Sequence, residues 1–216
     1  MAAPVYSNNS GNPVFAGTNA VTVSVPSGVV NGDLMIAEIW ESNQTAAAPT
    51  SAGWTAFFNL AGSDHQIYLF YRDASSEPAN YTFNSTNAAS MTGWIHHITG
   101  AISGNPVNAI GTGNTTAAAT SIAASAITTT VANTLNMCFV GHGDGSNIPS
   151  GYQAGWTGVT FTGNSPINCS YISQASAGTT GSATTTFPSN DDFTAVIVAI
   201  APPAGGSNTA SIAWVV

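Results

Sequence analysis

The tetrapeptide Ala-Gly-Trp-Thr occurs at 52–55 and again at 154–157, and it belongs to a collinear series. Leu34-Met35-Ile36-Ala37 matches Leu135-Asn136-Met137-Cys138. Each is followed by a polar loop containing a proline, Pro49 or Pro149, and each loop ends in the tetrapeptide. An aromatic segment comes next, 67–71 in the first series and 169–172 in the second. Tyr81-Thr82-Phe83 then matches Thr185-Thr186-Phe187, and 94–99 matches 195–200. Several features in one order at nearly one offset predict an internal duplication of about a hundred residues, far longer than a solenoid or propeller repeat. The chain must therefore divide into two similar halves.

The halves read as strands. Apolar residues come in short runs rich in Val, Ile, Thr, Phe and Tyr, broken by Gly, Pro and Asn. Expected strands are 20–25, 34–40, 54–60, 66–72, 80–84 and 93–99 in the first half. In the second they are 120–131, 135–141, 156–162, 168–175, 182–187 and 193–201. The Ala-rich piece 117–126 is the one place for a helix, but its Thr and Ser content favours a strand. The expected fold is all-β, a two-sheet jelly-roll-like sandwich built from the duplication. Residues 1–19 form an N-terminal arm and 20–202 a single β-sandwich domain, with halves at about 20–104 and 117–202. Residues 203–216 form a linker and a C-terminal strand.

Side chains alternate along a strand, so Leu135, Met137 and Phe139 share one face. Leu34, Ile36 and Glu38 share the equivalent face of the first half. Glu38 stands where its counterpart is Phe139. It is expected near solvent at a strand end, or hydrogen-bonded, because an unpaired buried carboxylate is costly.

Charge narrows the function. Only 5% of residues are charged, there is one fixed cation, Arg72, and the net charge is −8. Phosphate binding needs clustered Lys and Arg, so nucleic acid and anionic membrane surfaces are poor partners. The start of the chain carries no basic segment followed by an apolar run, so no secretion signal is read there. The surface must be built from Asn, Ser, Thr, Gly and Gln, a composition suited to particle exteriors. Cys138 and Cys169 make no disulfide framework and read as buried free thiols.

The runs "VTVSVPSGVVNGDLMIAEI", "APTSAGWT", "YLFYRDASSEPANYTF", "ITTTVANTLNMCFVG" and "DFTAVIVAI" resemble a β-sandwich module common in phage virion proteins. That module occurs in capsid decoration proteins and tail-fibre-like proteins, and the resemblance covers about 18–202. Its motifs are Gly32-Asp33, Gly53-Trp54, Glu77-Pro78 and 81–83. They imply a fold and carry no shared catalytic residues.

A separate search for chemistry finds little. Glu38 and Glu41, three apart on a strand, point to opposite faces, so they cannot pair across a cleft as glycosidase carboxyls do. Asp191-Asp192 diverge and read as a solvated turn. His96-His97 face opposite sides of a strand, one expected in the core and the other outside. Asp64-His65 lies in a turn. His142-Gly143-Asp144 has a spacing that could meet a cation but lacks a third ligand, so no metal or cofactor is assigned. No nucleophile elbow or phosphate loop is present.

Trp54 and Trp156, repeated in both halves, are expected in the core. Trp40 has no aromatic counterpart, which makes Trp40 and Glu41 the surface-contact candidates. Other interface candidates lie in the ends: Val5, Tyr6 and Phe15 in the arm, and Ile212, Trp214 and Val215 in the apolar terminal strand. That strand must close its own sheet or join a neighbour's edge. The expected function is a non-enzymatic phage virion structural protein. In its first form it is a capsid decoration (cement) protein, with the major capsid protein and copies of itself, a homotrimer, as partners. It would be made in the host cytoplasm and carried on the capsid exterior. The alternative is a tail-fibre or lectin-like adhesin that binds host-surface carbohydrate.

Overall fold

The central strands of the chain are buried along their whole length, on both faces. The computed structural model describes residues 2–42, 47–143 and 147–203, and every regular element among them is a strand. The first half supplies β1 (Val5–Asn9), β2 (Val14–Ala16), β3 (Ala20–Ser24), β4 (Leu34–Glu41), β5 (Thr55–Ala61), β6 (Gln66–Asp73), β7 (Asn80–Asn84) and β8 (Met91–Thr99). The second supplies β9 (Val107–Ile110), β10 (Asn114–Ala124), β11 (Thr128–Thr129), β12 (Thr134–His142), β13 (Gly151–Tyr152), β14 (Thr157–Gly158), β15 (Ile167–Gln174), β16 (Gly178–Thr179) and β17 (Ala183–Ile200).

Each half makes its own antiparallel sheet. One runs β1-β8-β4-β6-β5, with β2 also on β8; the other runs β10-β17-β12-β15-β14, with β9 and β13 also on β17. The two sheets pack face to face. Leu34, Ile36, Ile67, Leu69, Trp94 and Ile98 meet Leu135, Met137, Phe139, Ile167, Val196, Val198 and Ile200 in one inner cluster. Alternation sends the intervening residues outward, and both outer faces are covered as well. The β3–β7 ribbon lays Val21, Val23, Tyr81 and Phe83 over Met35, Ala37, Ile39 and Phe70. In the second half Ile122, Ala124, Ala183 and Phe187 cover Cys138, Val140, Ile197 and Ala199. The expected two layers are thus four. Each fully buried Leu, Ile, Val or Phe contributes about 1.5–3 kcal/mol relative to exposure, and the inner cluster is the largest of the three.

The two sheets agree in register as well as in order. Leu34 pairs with Ile98 and Leu135 with Ile200. Thr55 pairs with Tyr71 and Thr157 with Tyr171. Val21 pairs with Phe83 and Ile122 with Thr185. Phe83 therefore corresponds to Thr185, not to Phe187 as the letters alone had matched them. Residues 5–16, expected as an arm, belong to the sheet: β2 sets Val14 opposite Gly93, as β10 sets Asn114 opposite Ala195. The 18-residue β17 does as one strand what β7 and β8 do as two. The matching pairs begin closer to the start of the chain than the sequence indicated.

The repeated Ala-Gly-Trp-Thr is a turn that delivers a tryptophan to an outer core. Trp54 N–H donates to Ser51 O at 3.3 Å, and Trp156 N–H to Gln153 O at 2.9 Å. Gly53 and Gly155 sit at φ of 78° and 88°, a left-handed backbone that favours glycine. Trp54 packs on Tyr81 and Phe83; Trp156 is buried in the opposite outer core. The same side-chain position roofs both turns. Arg72 lies over Gly53 and donates to its carbonyl at 3.0 Å, while Ile172 lies over Gly155. Gly53→Ala and Gly155→Ala are each expected to cost about 1–2 kcal/mol in urea unfolding. Gly53→Ala should cost more, because Arg72 must also move; equal stability of the three proteins would contradict this account of the turn.

Candidate functional site

Ionisable side chains gather where the two halves meet. The turn between β5 and β6 carries Asp64 and His65 against Asp192, which sits where β17 bends from the outer layer into the main sheet. His65 is fully buried; its Nδ1 lies 3.1 Å from Asp64 Oδ1 and 3.3 Å from Asp192 Oδ2. Its Nε2 meets Thr194 Oγ1 at 3.1 Å. Ser63 donates its backbone N–H to Asp192 Oδ2 at 3.0 Å and its hydroxyl to the same oxygen. Burial acts to raise the Asp192 carboxyl, but the Ser63 hydrogen bonds and the nearby His65 outweigh it and hold the group below its usual range.

Gly143 closes the cluster. A Cβ there would stand 2.4 Å from Asp192 Oδ1 and 2.8 Å from each Asp64 oxygen, so the two carboxylates leave room for glycine alone. Beside them, His142 Nδ1 and Asp191 Oδ2 are 3.2 Å apart. Asp191 and Asp192, expected as a solvated turn, each face a histidine. Asp144, the third member of the expected cation spacing, lies outside the described residues. The Asp64–Asp192 meeting joins positions far apart in the sequence, and no local pattern marks it.

Trp40 belongs to the same region. Its ring lies over His65 with centroids 6.3 Å apart, and its Nε1–H donates to the His142 carbonyl at 3.0 Å. At 6% exposure it is a bridge between halves, and its ring is not open to solution as a surface contact would require. Glu41 is buried too. Burial pushes its carboxyl up to about 7; the Ser85 and Tyr68 hydroxyls temper the shift without reaching full hydrogen-bonding geometry. Val5 and Phe15 are exposed at 57% and 63%. Tyr6 instead turns inward, stacks on Tyr171 and contacts His96. Ile212, Trp214 and Val215 lie outside the described residues.

A second polar group is sealed between the sheets. Glu38 is fully buried on the inner face, with both oxygens free of hydrogen bonds and His96 Nε2 3.9 Å away. The expectation that Glu38 lies near solvent or is hydrogen-bonded is overturned: the strand parity was right, but the second sheet covers the position. Asn9 Nδ2–H donates to the Tyr6 oxygen at 3.2 Å, and the Tyr6 hydroxyl and His96 Nδ1 are also 3.2 Å apart. If Tyr6 donates to Nδ1, the His96 Nε2–H faces Glu38. Burial pushes the Glu38 carboxyl well above its ordinary value and His96 down to about 3, so His96 is neutral near pH 7. The second half has Phe139 and Val198 at these places.

His97 is buried as well, not exposed as one of the two histidines was expected to be. It faces the outer layer, with Nε2 2.7 Å from Asp33 Oδ2. Arg72 is held by Glu77 at 3.0 and 3.1 Å, and Glu77 also receives the Tyr81 hydroxyl. The Gly32-Asp33, Glu77-Pro78 and 81–83 motifs therefore act through internal bonds. Cys138 and Cys169 are free and buried, on opposite faces of one sheet.

No family model and no curated protein matches the chain.

The buried acids set a pH dependence. Glu38 and Glu41, raised above the ordinary value of 4.5, contribute stability that is full below that pH and lost as pH rises. His96, lowered from 6.5, contributes stability that is full above 6.5 and lost as pH falls towards about 3. Glu77 and Asp192, both lowered, lose theirs below this window. Between pH 4.5 and 6.5 the His96 and Glu38 contributions oppose each other and that of Glu41 remains. Stability should therefore decline across that window. Glu38→Gln should make the slope less negative, because it removes a carboxyl that takes up a proton on folding. An unchanged slope in denaturant titrations would show that Glu38 does not titrate with folding.

Proposed function

We propose that the protein is a non-enzymatic virion structural protein, a capsid decoration protein that sits over junctions between capsid subunits. The observation that carries this reading is the contrast between interior and surface. Histidines, most acids and the arginine are drawn into internal contacts. Outward-facing pairs are hydroxyls and amides: Thr22 with Thr82 at 2.8 Å, Ser24 with Asn80 at 3.0 Å, Asn108 with Thr130 at 2.8 Å. Such a surface binds through shape, apolar burial and neutral hydrogen bonds, which salt screens little. Val5 and Phe15, exposed near opposite ends of the β8 edge, are apolar contacts available to a capsid or to a second copy. Contacts of this kind stabilise a shell by mass action, since the protein binds the assembled state.

The adhesin alternative would use hydroxyl- and amide-lined hollows such as that formed by Asn136, Gln174, Ser176 and Thr180. It loses its proposed stacking ring, because Trp40 is covered.

Protein counting in purified virions of the encoding phage is the direct test. Hundreds of copies per particle are expected; a few to dozens would favour the fibre role, and none would defeat both. Val5→Asp and Phe15→Asp should each weaken particle binding at least about tenfold while leaving the fold intact, changes at exposed side chains being nearly neutral for stability, and deletion of 203–216 should weaken it likewise. Unchanged binding in all three variants would rule out these surfaces.

A further inference from the structure

We propose that Asp64, His65 and Asp192 bind a divalent transition-metal ion, Zn2+ before others, and that the ion clamps the two halves of the molecule. The three side chains offer ligand atoms that all lie within 4.8 Å of one another. His65 Nδ1 is 3.1 Å from one carboxylate oxygen and 3.3 Å from the other. Tetrahedral ligands at about 2.0–2.1 Å from zinc stand about 3.3 Å from each other.

The proton count points the same way. Thr194 Oγ1–H reaches the Gly141 carbonyl at 3.4 Å, a group that only accepts. If Thr194 gives its proton there, its oxygen accepts from His65 Nε2–H at 3.1 Å. In that tautomer the Nδ1 lone pair faces two carboxylates, three acceptors with no donor among them. A second proton on the ring would serve one carboxylate well and the other poorly. A metal ion in its place takes all three, and Thr194 becomes the outer partner that fixes a ligating histidine.

Charge balance adds a third argument. The chain has one arginine and no lysine, and Arg72 is engaged by Glu77 at 3.0 Å. Asp191 is matched with His142, which leaves Asp64 and Asp192 both directed at His65. Asp64 is 64% exposed, so an ion can enter from solution and keep water as its fourth ligand. An imidazole with two carboxylates suits zinc or manganese better than calcium, which takes six to eight oxygens. Asp64 and His65 come from the first half and Asp192 from the second, so the ion would link the halves.

The test uses tag-free full-length protein stripped with EDTA and titrated with Zn2+, Mn2+, Ca2+ and Mg2+ by calorimetry and thermal unfolding. One Zn2+ per chain is expected. The midpoint should rise by about 5–11 °C at a hundredfold excess over the dissociation constant, with little response to Ca2+ or Mg2+. Co2+ should show the intense visible bands of a four-coordinate site. Asp64→Asn, on an exposed side chain, should keep the fold by circular dichroism and lose at least about tenfold in Zn2+ affinity. Absence of saturable Zn2+ uptake at millimolar metal would overturn the proposal. So would uptake that Asp64→Asn leaves unchanged, since the ion would then bind elsewhere.

Discussion

The structure rests on the apposition of two sheets that are each buried on both faces. A strand covered on one side alternates apolar and polar residues; a strand covered on both sides has no outward face left. All residues of β4 and of β12 are buried. Their sheets need each other on one side and the β3–β7 and β10–β17 layers on the other. From this follow the four layers, the glycine turns that carry the chain from the outer layer into the main sheet, and the tryptophans that those turns deliver.

Double burial also accounts for the polar residues. A side chain on the inner face has no route to water whatever its chemistry. Glu38 and His96 remain there side by side, tied to β1 through Tyr6 and Asn9. Their counterparts Phe139 and Val198 represent the apolar solution to the same position. At the end of the seam, solvent reaches Asp64, and a charged cluster can exist. The two halves thus share a frame and differ in what the frame holds.

The frame was legible in the sequence and the cluster was not. The all-β class and the inner parity of Leu135, Met137 and Phe139 follow from period-two patterning. The core role of Trp54 and Trp156 follows from their recurrence. The burial of Glu38 was missed because parity names a face without saying what covers it. Matching the 81–83 and 185–187 letters slipped the alignment by two residues, since composition repeats more freely than register does. The first strands escaped notice because Val5–Asn9 and Val107–Ile110 pair alike while sharing few residues. Asp64 and Asp192 meet only after both sheets are assembled.

The central claim is that the halves are one cooperative unit held by the inner cluster. Native-state hydrogen exchange measured across 34–41 and 134–142 tests it most directly. The account predicts that both strands exchange slowest, by global unfolding, with the same opening free energy. Exchange of either strand at a clearly lower free energy than the other would mean that one half opens while the other stays folded, and would contradict it.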